Sequence, residues 1–144
     1  MMSQSAEYAL RAVVWLAGHP AATLSTPEIA RGTMVPPGYL SKILQALARA
    51  GLVASTPGRA GGFVLTRPAT RISVLDVINA VGQLQRIERC PLGIEAHGRR
   101  LCPLHKRLDE VATYVERVFA KTTIGELLKG TSSPPLCEVA ECAR

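Results

Sequence analysis

The stretch STPEIARGTMVPPGYLSKILQALARAGLVASTPGRAGGFVLT, residues 25–66, decides the fold. Its first residues begin a short helix by either of two capping rules. Ser25 and Glu28 have the spacing of a capping box, which makes Ser25 the cap. Pro27 as the first helical residue would instead make Thr26 the cap. The two rules differ by one residue, and both predict a helix start at this point.

A second helix and a hairpin complete the stretch. The helix follows Pro36 and Pro37, and Gly51 suits the position just past its end. The segments LVAST and GFVLT predict two short strands, and the glycine-rich PGRAG between them predicts a hairpin turn. Apolar residues at helical spacing predict the buried stripe of the helix: Leu40, Ile43, Leu44 and Leu47.

Upstream, another helix completes the order helix, short helix, helix, hairpin. Leu10, Val13, Val14 and Ala17 recur at helical spacing, and Gly18 ends the pattern. This order is that of a winged helix-turn-helix, a mainly α fold with a small β-hairpin wing. In such a fold the third helix enters the major groove of DNA, and the hairpin reaches the backbone or minor groove.

Double-stranded DNA is therefore the expected partner of the outward-facing residues. With the apolar stripe buried, Gln45 can read adenine through paired hydrogen bonds, and Arg59 at the hairpin tip can reach phosphates or a narrow minor groove. Taken singly, each position is more often a solvated surface residue, so the joint pattern supports the prediction. The candidate DNA-binding residues are Tyr39, Ser41, Lys42, Gln45, Arg49 and Arg59.

Downstream of the hairpin, the sequence predicts three further helices. Ser73 caps a helix in ISVLDVINAVG, and residues 83–101 read as loop. Thr123 and Glu126 form a capping box for a last short helix. Between them, apolar residues alternate steps of three and four, a heptad seam that packs either on a second copy of the chain or on its own core. The seam consists of Leu101, Leu104, Leu108, Val111, Val115 and Val118.

Composition narrows the class of protein. The 144 residues carry a formal charge of +6, which favours an anionic partner such as nucleic acid. No apolar run approaches a membrane span, and the first residues lack the features of a signal peptide, so we expect a cytoplasmic protein without a membrane partner. The sequence shows no Ser-His-Asp order, phosphate-binding glycine loop or carboxylate pair, so we do not expect an enzyme.

Several motifs together resemble a known family. The segments YALRAVVWLA, STPEIARG, GYLSKILQALARAGLV, GGFVLTRP and ISVLDVINAV resemble the Rrf-type bacterial transcription regulators, a family with an iron–sulfur cluster regulator and a nitric-oxide sensor among its members. The resemblance runs from about Glu7 to Leu128. It implies a homodimer, in which a long helix at about 103–119 crosses its partner, and a palindromic DNA target. One departure is Pro57, which stands where some members carry an arginine.

The resemblance divides the chain into four parts. Residues 1–82 are expected to form the winged helix-turn-helix DNA-binding domain, and residues 83–102 the cluster-binding loop. Residues 103–130 are expected to hold the dimerisation helix and the last short helix. The remaining residues, 131–144, are expected to be a disordered tail.

The candidate site lies in CPLGIEAHGRRLCPLHKRLDE, residues 90–110. Pro103 suits the first turn of the long helix, which makes Cys102 its N-cap. The helix dipole and neighbouring basic residues favour the thiolate of Cys102, the form that binds metal. His105 lies one turn further on roughly the same face, and Cys90 can fold back across the loop. These ligand types suit zinc or an iron–sulfur cluster.

The family resemblance implies a fuller ligand set. Cluster-binding members carry three cysteines in this loop; Cys90 and Cys102 match two of them, and Ala96 stands in the middle position. His105 matches a histidine ligand, and Glu7 matches an acidic ligand supplied by the other subunit. With one thiolate missing, a two-iron two-sulfur cluster is favoured over a four-iron one. The alternative is a cluster-free dimeric repressor that uses a Cys90/Cys102 thiol switch or a small-molecule signal.

Overall fold

Residues 2–94 and 100–129 are described by the computed structural model, and the predicted fold class is confirmed. Within these residues the fold is mainly helical, with one antiparallel hairpin. The elements, in chain order, are α1 (Gln4–Gly18), α2 (Thr26–Thr33), α3 (Pro37–Arg49), β1 (Val53–Thr56), β2 (Gly62–Leu65), a 3₁₀ turn (Ala69–Arg71), α4 (Val74–Val81), α5 (Pro103–Lys121) and α6 (Ile124–Leu128). No helix in this part of the chain is long and apolar enough to cross a membrane. The predicted tail, residues 131–144, lies outside the described residues.

The start of α2 decides between the two predicted caps. Ser25 is the N-cap: its hydroxyl accepts from the backbone N–H of Glu28, and its own N–H donates to the Glu28 carboxylate at 2.7 Å. Thr26 is the first helical residue and Pro27 the second, so the prediction of Thr26 as the cap was wrong. The reciprocal bonds of the capping box satisfy two backbone donors, whereas proline tolerates any place in the first turn.

The hydrophobic core forms around α1, which packs against α2, α3, α4 and α6. All four predicted stripe residues of α3 are buried, and Leu40, Leu44 and Leu47 are completely so. Helices α1 and α2 approach closely because Gly32 has no side chain. A Cβ at Gly32 would lie 2.2 Å from the indole of Trp15, so only glycine permits this packing.

The hairpin is the wing, and it is tied to the start of α2. Strands β1 and β2 pair from Val53 opposite Leu65 to Thr56 opposite Gly62. Leu24 adds a bridge on the outer edge of β2, exchanging backbone hydrogen bonds of 3.0 and 2.7 Å with Phe63. The wing therefore keeps a defined position beside the helices that precede it.

After α5 the chain returns to pack against α1 and the 3₁₀ turn. Helix α6 begins at the predicted capping box of Thr123, and Ile124 is completely buried. The backbone N–H of Ile124 donates to Ile72, and that of Val74 donates to Thr122, at 2.8 and 2.9 Å. The carboxyl end of α5 is therefore fixed to the start of α4.

Candidate nucleic-acid interface and thiol–histidine pair

Helix α3 presents its polar face to solvent. The five candidate residues on this helix are exposed, and so is Arg59 at the wing tip. The N-cap of α3 is Pro36, which offers no side-chain hydrogen bond to the first turn. The free N–H groups of that turn and the positive end of the helix dipole suit a phosphate. The arrangement can bind an anionic backbone and read base edges beside it.

The turn before α3 is held by α1. Met34 adopts the left-handed conformation with φ of 56° and is largely exposed. Arg11 donates from Nη1 to the carbonyl of Thr33 at 3.4 Å and from Nη2 to the carboxylate of Glu7. The rings of Tyr8 and Tyr39 meet edge to face with centroids 6.1 Å apart. Through these contacts, the position of α1 is linked to the start of α3.

Cys102 and His105 form the pair expected at the start of α5. Cys102 is the N-cap, Pro103 is the first helical residue, and the Cys102 Sγ lies 3.2 Å from His105 Nδ1. Both side chains are half-buried. One helical turn brings a sulfur and a ring nitrogen to a common point without any contribution from the loop.

The other two predicted ligands are not part of this pair. Cys90 is half-buried and carries a free thiol, and its carbonyl accepts from Gly93 in a turn. Glu7 is exposed on α1 and paired with Arg11 four residues on. Among residues 2–94 and 100–129, no three Cys, His, Asp or Glu side chains meet in a group that could hold a metal ion. The middle position, Ala96, lies outside the described residues, as do Cys137 and Cys142.

A cluster of salt bridges connects the segment before Cys90 to α5. Arg86 donates to both carboxylate oxygens of Asp109, from Nε at 2.7 Å and from Nη2 at 2.9 Å. It also donates to Glu116 at 3.2 Å, while the backbone N–H of Ile87 donates to Asp109 at 3.0 Å. Hydrogen bonds from Arg86 and then Ile87 lower the pKa of Asp109 to about 2. Neither Arg86 nor Asp109 stood out in the sequence, because 23 residues separate them.

The apolar face of α5 is exposed among the residues that the structure describes. Leu104 is 64% exposed and Val111 58%, and no residue of the helix is classed as buried. Leu108 and Val118 are exposed as well, while Leu101 and Val115 are half-buried. Of the two alternatives for the seam, packing on the chain's own core does not hold for these four residues within the described part of the chain.

Comparison with known proteins identifies the family. The Rrf2 family model, described as an iron-dependent transcriptional regulator, matches residues 2–130. The chain belongs to the Rrf2 family. A putative HTH-type transcriptional regulator of Mycobacterium tuberculosis is 32% identical over 142 residues, which cover 97% of this chain and 88% of that protein. The Rrf2 chain is thus a transcriptional regulator that acts on DNA rather than an enzyme.

Two solved structures of regulators have similar folds. T. potens IscR superimposes with a TM-score of 0.73 at 25% identity, covering 90% of this chain and 86% of that one. CymR, the global cysteine regulator of B. subtilis, superimposes with a TM-score of 0.74 at 25% identity, covering 92% and 98%. The winged helix-turn-helix prediction is confirmed by both likenesses.

Proposed function

We propose that this Rrf2 protein is a homodimeric regulator that binds a palindromic operator and senses redox, iron–sulfur or nitric-oxide status through an iron–sulfur cluster. One observation carries the proposal. A thiol and an imidazole, 3.2 Å apart, stand at the N-terminus of the helix whose apolar face is exposed. A sensing group at this point would lie beside the surface through which two copies join.

Operator binding is assigned to α3 and the wing. Gln45 is placed to read a base edge, while Lys42, Arg49 and Arg59 supply positive charge for phosphates. Tyr39 and Ser41 lie near the start of α3; Ser41 donates to the carbonyl of Pro37 at 3.2 Å. The lone pairs of the Ser41 hydroxyl oxygen stay available to a hydrogen-bond donor on DNA. Two copies of this surface fit the two halves of a palindrome.

Dimerisation is assigned to the exposed face of α5. Its large apolar side chains lie on one side of a helix of 19 residues, at the spacing of a two-helix seam. Soluble proteins rarely leave a contiguous apolar patch open to water, because covering it lowers the free energy. A second copy of α5 offers the complementary surface.

The ligand set is Cys90, Cys102 and His105 of one subunit with Glu7 of the partner subunit. Cys102 and His105 are already together, and Cys90 is an accessible free thiol. Asp109 is not available as a ligand, because its two oxygens already accept three hydrogen bonds. Two thiolates with one nitrogen and one carboxylate oxygen suit a two-iron two-sulfur cluster, which when bound would supply a one-electron redox centre.

The contacts of α1 offer a route from this site to DNA. Glu7 shares Arg11 with the carbonyl of Thr33, directly before α3, and Tyr8 contacts Tyr39 on α3 itself. Drawing Glu7 toward a cluster held by the partner subunit would remove the Glu7 contact of Arg11 and leave its hydrogen bond to the carbonyl of Thr33. The start of α3 would then shift between two positions, which is the requirement for coupling between the sites.

The test is iron and sulfide content together with operator affinity. Anaerobically reconstituted protein is expected to contain equal iron and sulfide, and Cys102→Ala is expected to contain neither. Cys142→Ala serves as the matched control for the loss of a thiol. Holo and apo forms are expected to differ in operator affinity. Wild type without iron and sulfide would end the cluster proposal, and equal affinities would remove its sensing role.

A thiol switch is the second candidate, favoured by one observation. Cys90 and Cys102 are both free thiols, and no third ligand joins the Cys102–His105 pair in the described part of the chain. A Staphylococcus aureus CymR with 26% identity has been solved in an oxidised form. In this case, an external disulfide such as glutathione disulfide would accept two electrons and two protons as Cys90 and Cys102 join, and mass spectrometry detects the two hydrogens lost from the protein. Operator affinity would follow the oxidation rather than the iron content.

A further inference from the structure

We propose that Arg86 and Asp109 are positioning residues that hold Cys90 within reach of the Cys102–His105 pair. The inference rests on the proposed pairing of Cys90 and Cys102 as ligands or switch thiols. It assigns a function to a salt bridge that lies outside the ligand set. The attachment uses the backbone as well as the side chain, because the N–H of Ile87 donates to the same carboxylate.

Chain lengths support this assignment. Asp109 follows Cys102 by seven residues of helix, or about 10.5 Å along the axis at 1.5 Å per residue. Ile87 precedes Cys90 by three residues, which span at most about 10–11 Å when fully extended. A chain attached at Asp109 therefore just reaches the level of Cys102. An attachment further along α5, toward its carboxyl end, would leave Cys90 short.

Loss of the attachment would leave only the loop to bring the thiols together. Cys90 and Cys102 are 12 residues apart in sequence, and an ideal random coil of 12 residues has an r.m.s. end-to-end distance of roughly 17–21 Å. The attached chain confines Cys90 to about 10–11 Å from Ile87, whereas the coil allows roughly 17–21 Å from Cys102. The volume open to Cys90 grows as the cube of the ratio of these two distances. The effective concentration of one thiol at the other is expected to fall by roughly four- to ninefold.

The salt bridge has the geometry of a lasting anchor. Arg86 meets Asp109 with two parallel hydrogen bonds, an arrangement that restricts both groups more than a single contact. Because the pKa of Asp109 is lowered to about 2, the carboxylate stays ionised at any physiological pH. Another exposed pair on α5, Arg107 with Glu110, joins two residues of the same helix and cannot restrain the loop.

The experiment measures the equilibrium between Cys90 and Cys102 thiols and glutathione in the apo, full-length chain. Cys137→Ala and Cys142→Ala are introduced so that only these two cysteines remain. One protein thiolate attacks glutathione disulfide and expels a glutathione; the second thiolate then displaces the other, leaving a protein disulfide and two glutathiones. The disulfide fraction at fixed glutathione ratios gives the effective concentration directly.

Arg86→Gln removes the side-chain part of the attachment and leaves the Ile87 hydrogen bond, so it is expected to lower this effective concentration by up to about fivefold, and the control Arg107→Gln to leave it unchanged. Arg86→Lys keeps the charge but loses the two-pronged contact, so an intermediate value is expected. If Arg86→Gln loses helix content by circular dichroism, the Lys variant decides. An unchanged equilibrium in the folded variants, or an equal fall in the control, would overturn the inference. Because the assay contains no iron, its outcome is separate from that of the cluster.

Discussion

Helices α3 and α5 are both amphipathic, but the apolar face of α3 is buried and that of α5 is exposed. In α3, Leu40, Leu44 and Leu47 are completely buried against α1 and its neighbours, and the polar face is open. In α5, Leu104 and Val111 remain mostly exposed, because α4 is its main neighbour in the chain. The first helix belongs to a unit completed within one chain. The second has an apolar surface that residues 2–94 and 100–129 leave exposed.

The strongest test of this difference is Leu108→Asp. If α5 joins two copies, an unpaired carboxylate in the seam is strongly unfavourable, and monomers or aggregates are expected. Binding to a two-half-site operator should be lost. Ala120→Asp, an exposed position on the other side of α5 from Val111, is the matched control and should remain dimeric. A Leu108→Asp protein that sediments as a dimer would show that the seam is not the interface.

Leu44→Ala, on α3, should lower the stability of the folded chain rather than its association with a second copy. Removing a completely buried leucine is expected to lower the free energy of unfolding by about 2–5 kcal/mol, through lost burial and the cavity left behind. In the same denaturant titration, the stability lost through Leu108→Ala should depend on protein concentration, because this variant weakens the association of two chains. If both variants lost the same stability at every concentration, the contrast between the helices would disappear.

Gln45→Ala tests whether the open face of α3 reads bases. Loss of a bidentate contact is expected to cost about 1–3 kcal/mol at one base pair and to relax the preference there. Competition binding against operators with single base changes measures this effect. The neighbouring residue Ala46 is half-buried and is not one of the predicted contacts, so Ala46→Ser offers a mild control. Unchanged selectivity at every base pair would contradict the docking of α3.

Arg59→Ala tests the wing separately. One phosphate contact fewer should reduce the slope of log affinity against log salt by about 0.9, with little change in base preference. Binding would be measured across a range of salt concentrations on one operator. Arg71→Ala, which removes the same charge from a site near the start of α4, should leave the slope unaltered. A slope that is the same for Arg59→Ala and wild type would exclude the wing tip from the interface.

The smallest effect is expected from the attachment of the loop to α5. The folded pKa of Asp109, about 2, lies below its ordinary value of 3.8, so the salt bridge stabilises the fold above pH 3.8. This stability is lost as the pH falls from 3.8 toward 2. The difference in unfolding free energy between wild type and Asp109→Asn should therefore shrink over that interval. A constant difference for Asp109→Asn over that interval would refute the assignment.

Local signals were enough to locate most elements in the sequence. The capping boxes at Ser25 and Thr123 involve residues three apart, so their hydrogen bonds are decided within one turn. The same is true of Cys102 and His105, which a single helical turn places side by side. The burial of Leu40 and Leu47 also followed from their spacing. The family motifs, which are distributed over most of the chain, indicated the fold as a whole.

Only the tertiary structure decided which surfaces meet. Arg86 and Asp109 are 23 residues apart, and Tyr8 and Tyr39 belong to different helices, so no periodicity connects them. The same holds for the return of Ile124 to the core beside Ile72. An amphipathic pattern states that a helix has an apolar face, but not what covers it. Burial depends on the neighbours that the fold provides, and for α5 those neighbours leave the seam open.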